Sequence, residues 1–89
     1  MSRDRLQQAR TELEAAVETA SDDLRADLRE TAGAFADLAT ADREPDHAVL
    51  DDHLNTLRQS QRRAEGETKA RIDRALEHAE EHREELSGV

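Results

Sequence analysis

The chain has no cysteine, tryptophan or tyrosine, and only one phenylalanine (Phe35), one proline (Pro45) and one lysine (Lys69) among its 89 residues. Each scarcity removes a class of protein. Without cysteine there is neither a disulfide framework nor thiolate chemistry. No apolar run approaches the roughly 20 residues that cross a bilayer, and the opening MSRDRLQQAR lacks the apolar stretch of a secretory signal. Cytoplasmic residence without a membrane partner is therefore expected. There is no basic patch interleaved with aromatics, which argues against nucleic acid as a partner, since phosphate contact relies on accessible positive charge. No glycine-rich phosphate loop is present, and nothing in the chain implies a cofactor or a small-molecule substrate.

Large apolar side chains are also scarce. Leucine, valine, isoleucine and phenylalanine together supply fifteen of 89 residues, below the roughly one-fifth that folded domains usually carry. With 39% charged residues and a net charge of -9, composition alone reads as a disordered chain. The order of the residues opposes that reading.

Apolar residues recur in steps of three or four from Leu6 through Leu13, Val17, Leu24, Leu28 and Phe35 to Leu38, the stripe of an amphipathic helix. Gly33 costs such a helix roughly 1 kcal/mol, and Ser21-Asp22-Asp23 offers a cap at which it could restart, but the stripe keeps its phase through both. Pro45, inside TADREPDH, cannot continue that helix and suits the first turn of a new one, with Glu44 or Asp46 as caps. A second stripe then runs through Leu50, Leu54, Leu57, Ile72 and Leu76 to Leu86, with Gly66 on its polar side.

These two stripes predict one all-α domain over residues 1–89, an antiparallel hairpin of helices spanning about 2–40 and 46–86, each roughly 60 Å long. Folding the sequence about Glu44 pairs positions whose numbers add to 88 or 89. Leu38 then meets Leu50, Phe35 meets Leu54, Val17 meets Ile72, and Leu13 meets Leu76. Phe35, Leu38, Val49, Leu50, Leu54 and Leu57 are expected to be the densest cluster. Two helices cover only part of each other's apolar faces, so a second copy is expected to complete a four-helix bundle, making the protein a homodimer.

Chemistry-bearing spacings are few. His78 and His82 in HAEEH share a helix face, and with Glu81 they match the H-x-x-E-H pattern of inverted zinc proteases. The match covers five residues in a segment dominated by Glu and His, with no further carboxylate ligand or cleft evident, so flank histidines are the expected reading and a metal site the alternative. Glu44 and His47 give the only Glu-x-x-His of the kind used by di-iron bundles, and they straddle Pro45. His53 lies some 37 Å along the helix from His78 at about 1.5 Å per residue, so no third ligand converges. Ser60 has no histidine at helical spacing, which leaves no nucleophilic triad. Among the charges, Glu67 with Arg71 and Glu80 with Arg83 are spaced to pair along one helix.

Of the thirteen basic residues twelve are arginine, against 22 carboxylates. This bias, together with the helix, DREPDH turn, helix layout, resembles the small acidic all-helical proteins of unknown function found in halophilic archaea. At molar salt the Debye length falls to about 3 Å, so carboxylate repulsion that would swell the chain is screened. The resemblance implies a cytoplasmic helical protein without known activity. The function expected is that of a non-enzymatic structural or interaction module, its acidic faces available to another protein.

Overall fold

Both stripes are interrupted, and at matching places. The computed structural model describes residues 2–40 and 47–87, and among these it has four α-helices and no strand: α1 (Ser2–Thr19), α2 (Asp22–Thr40), α3 (His47–Arg63) and α4 (Gly66–Ser87). The expected continuous helices 2–40 and 46–86 are thereby corrected, since the chain breaks at Ala20-Ser21 and again at Ala64-Glu65. The turn assigned to Glu44, Pro45 and Asp46 lies outside the described residues.

Local chemistry accounts for each break. At the first, the Ser21 carbonyl accepts from the amides of Leu24 (3.1 Å) and Arg25 (2.9 Å), which starts α2 with two aspartates in its first turn, where the helix dipole favours negative charge. The last carbonyls of α1 lack the amides of a continuing helix, and the Val17 carbonyl accepts only a 3.4 Å bond from the Ala20 amide. Arg25 reaches back to these carbonyls, donating through Nε to that of Val17 (3.3 Å) and through a terminal nitrogen to that of Ala20 (2.9 Å). At the second, Gly66 takes φ +59°, a left-handed conformation that costs glycine little and other residues more. Gly66 is thus the residue that redirects the chain, where the sequence pattern reads it as a mild weakness on a polar face.

The consequence is that each half of the hairpin folds back on itself. Every helix packs on two neighbours in the order α1, α2, α3, α4 and back to α1, while the diagonal pairs stay apart. The described residues measure 38 × 20 × 20 Å with a radius of gyration of 12.1 Å, against the roughly 60 Å length of an extended hairpin. Four helices of one chain therefore cover the faces that two straight helices would have left bare.

Packing follows side-chain size. Eighteen described apolar residues are buried, and eight of them are alanines, which is how a chain so short of large apolar residues still closes a core. Ala9, Ala16, Ala75 and Ala79 sit on α1 and α4, and Ala32 on α2, so α1 comes close to both its neighbours. In contrast α3 contributes Leu50, Leu54 and Leu57 opposite Phe35, and it stands farther from α2 and α4. All four of these large side chains are at most 1% exposed, although α2 and α3 approach each other at fewer positions than α1 and α4 do. Leu13, Leu24, Leu28, Ile72 and Leu76 are buried, and Val17 and Leu38 pack on the core half-buried. Val49 departs from expectation at 42% exposed. It points along the face shared with Asp52 and Thr56, one helical step away from that of Leu50.

The pairing register itself is that of the hairpin. The Thr19 and Thr68 hydroxyls lie 2.7 Å apart, Phe35 and His53 have ring centroids 5.9 Å apart and tilted by 53°, and Arg63 meets Asp27 at 2.8 Å. Their numbers add to 87, 88 and 90. Arginines tie the helices across the bundle as well as along them: Arg83 pairs with Asp51 and Arg58 with Glu80, both at 2.6 Å. The Glu80–Arg83 pair expected from spacing is therefore replaced by two interhelical ones. Arg71 keeps Glu67 (3.6 Å) and adds Glu12 of α1 (3.0 Å), whose hydrogen bond is the chief cause holding the guanidinium above its ordinary value.

Asp73 gives the fold one predictable acid response. Its carboxylate accepts from Gln61 Nε2 of α3 at 2.6 Å, and this bond, with Lys69 nearby and burial opposing, holds the carboxyl below its ordinary value. A native state that favours the ionised form is stabilised above the unfolded carboxyl's value, about 3.9, and loses that stabilisation as the pH falls through the lower native value. Asp73→Asn should lower the Tm at neutral pH by a small amount, and the gap to wild type should close below about pH 3. Thermal melts followed by circular dichroism between pH 2 and pH 7, on the order of one per unit, would read the difference. A constant gap over that range would refute the assignment.

Candidate functional site

The histidine pair of HAEEH lies on α4, and the fold separates its members in character. His82 is fully buried, at a level of the bundle that the register sets opposite the start of α1 and the middle of α3. His78, one turn earlier, is half-buried beside Gln7, Gln8, Thr11 and Glu12 of α1, and its Nδ1 is enclosed with no hydrogen-bond partner among the described residues. Glu81, the carboxylate that would polarise a metal-bound water, instead meets Arg5 of α1 at 2.8 Å. Among the described residues no three His, Cys, Asp or Glu side chains converge as a metal site would require. Of the di-iron spacing, Glu44 lies outside the described residues. His53 is stacked against Phe35 and packs as a ring. Ser60 is buried in the core.

Among the described residues no helix is long and apolar enough to cross a membrane. The bundle's surface is better described by which charges are neutralised. Arginine pairs engage Glu12, Asp27, Asp51, Glu80 and Glu81 across helix junctions. Glu18, Asp23, Glu30, Asp37, Asp52, Glu65, Glu77 and Glu84 enter no ion pair among the described residues. The cations in that position are fewer, namely Arg29, Arg62 and Arg74.

Two of these open carboxylates flank a groove of about 450 Å³ between α2 and α3. Glu30 and Ala34 form its α2 side; Asp52, His53, Thr56 and Gln59 form its α3 side. Asp27 closes one end, already engaged by Arg63. Exposed Val49 stands one turn before Asp52 and His53 on the same stretch of α3. The sequence signal for this site is present but ambiguous: Val49 and Leu50 are adjacent, only one can face the core, and the register chooses Leu50. A second groove, between α1 and α2, has a floor of Val17, Ala32 and Gly33, and a rim of both signs of charge from Arg10, Glu14, Glu18 and Arg29.

Comparison with known proteins adds one relationship. Neither a curated protein nor a solved structure matches the chain. Residues 1–85, all four described helices but for the last two positions, match a family of unknown function, DUF7553. The chain, an acidic all-α protein with this bundle as its structure, belongs to the DUF7553 family of unknown function.

Proposed function

We propose that the chain is a non-enzymatic protein-interaction module, a self-contained acidic bundle whose surplus negative charge is directed at a basic partner. The observation that carries this reading is the imbalance among groups with no ion pair among the described residues, with Glu18, Asp23, Glu30, Asp37, Asp52, Glu65, Glu77 and Glu84 open against Arg29, Arg62 and Arg74. Open carboxylates on a closed core steer and orient a cationic surface without altering the fold beneath them. The same surplus, with Lys69 the sole lysine, suits a salt-rich cytoplasm in which screening removes the self-repulsion of a net charge of -9. Since each helix of one chain already covers its neighbours' apolar faces, the folded unit is the monomer. Sedimentation at molar potassium chloride should then give a single species of 10.0 kDa, and a stable dimer at all concentrations would count against it.

The function is tested by in-cell crosslinking of wild type and of a variant carrying Glu30→Gln, Asp37→Asn and Asp52→Asn. Wild type should enrich proteins with basic exposed faces, and the variant should lose them while keeping its helicity. Equal enrichment by both proteins would sink the reading. So would stoichiometric zinc or iron in untagged protein that disappears in His78→Ala, an outcome that would favour a metal-binding function at His78, Glu81 and His82.

A further inference from the structure

We infer that the α2/α3 groove is the docking site, and that its occupant is a cationic amphipathic helix of another protein, seated by apolar contact with Val49 and Ala34 and held by arginine or lysine at Glu30 and Asp52. This rests on the interaction reading above and narrows it to one face and one partner chemistry. Three independent features converge there. The first is shape, since a trough of about 450 Å³ lies between α2 and α3. A trough between parallel-lying helices accepts a third helix by the usual ridge-and-groove fit.

The second is apolar surface. Val49 is the one large apolar side chain found exposed among the described residues. On α3 it lies three, four and seven positions before Asp52, His53 and Thr56, the spacing that puts all four on one face. On α2, Ala34 lines the groove and is only partly buried, and the half-buried Leu38 follows it one turn later.

The third is charge. Glu30 and Asp52 stand on opposite walls, and neither has an ion-pair partner among the described residues, whereas arginines pair with carboxylates at the neighbouring junctions. Positive groups placed one or two turns apart on a docking helix could reach both walls at once. A second copy of this chain is a poor occupant, because each copy carries a net charge of -9 and like charges brought face to face oppose association.

The test uses the full chain, isotope-labelled, titrated with three synthetic 18-residue peptides of roughly helical-repeat design: one of leucine and arginine with an amphipathic pattern, one with glutamate replacing arginine, and one with serine replacing leucine. Chemical-shift changes from the first should map to residues 27–38 and 49–59, and the other two should bind much more weakly. Glu30→Gln with Asp52→Asn should weaken the first peptide roughly tenfold, each exposed pair contributing about threefold. Val49→Ser should weaken it as well, with circular dichroism unchanged in both variants. Shifts elsewhere on the bundle, or affinity indifferent to these substitutions, would overturn the groove assignment while leaving a basic partner in place. Absence of binding by the leucine-arginine peptide would overturn it also. Crosslinking that enriches no basic protein is the separate result that removes the interaction reading itself.

Discussion

Phe35→Ala should cost about 3–5 kcal/mol, the range for removing a large buried aromatic from a core, and leave much of the protein unfolded in dilute buffer at 25 °C. The size of the effect follows from position. Phe35 is fully buried, is the sole aromatic of the chain, and stacks on His53 across the α2/α3 junction. That junction and the one between α3 and α4 are the more widely spaced pairs, filled by large side chains instead of by backbone approach. The hole left by truncation could close only if α3 moved inward, and arginine pairs at 2.6 Å to α4 and 2.8 Å to α2 resist that motion. A small single-core domain has only about 5 kcal/mol to lose. By comparison, Ala36→Gly on the half-exposed side of α2 should cost about 1 kcal/mol, a propensity effect alone. Urea titration of both variants reads the contrast; losses of similar size would mean that Phe35 is not the centre of the core.

Why some of this architecture was readable in the sequence, and some not, comes down to which interactions act locally. Helical type and register were readable because burial imposes a period of 3.6 on one stripe and mirror symmetry on two. Phe35 beside His53, Thr19 beside Thr68 and Arg63 beside Asp27 all fall within two of the pairing sum drawn from the apolar stripes. The two breaks were not readable from the stripe, since a helix interrupted for two residues resumes nearly in phase. Ser21-Asp22-Asp23 gave a cap signal that the unbroken stripe outweighed, and the Arg25 contacts that satisfy the end of α1 depend on the folded-back geometry. The candidate site shows the same division. Spacing alone offers HAEEH as a metal motif, but Glu81 is drawn to Arg5 on another helix, a contact that no short-range pattern encodes. The α2/α3 groove likewise arises from helix spacing, which depends on the volumes of residues far apart in the chain.

Those two breaks lead to the second large effect. An extended hairpin dimer and the single-chain four-helix bundle share the α1/α4 and α2/α3 contacts, and they differ only in whether α1 meets its own α2 and α3 its own α4 or those of a second copy. They are domain-swapped forms of one another, and the hinges decide between them. Gly66→Ala places a Cβ on a left-handed backbone at φ +59°, a strain of roughly 1–2 kcal/mol that a continuous helix would relieve. Ser21→Ala places at the other hinge a residue that propagates helix better than serine. The double variant should therefore populate an elongated dimer whose share rises with protein concentration, while retaining its helix content. Small-angle scattering would show the radius of gyration rising well above the 12.1 Å of the monomer, and sedimentation would show the doubled mass. Because both hinges must straighten together, either substitution alone should leave most molecules monomeric at micromolar concentration. A double variant that stays monomeric and merely melts earlier would show that the register shared by the two forms is insufficient to support the swap.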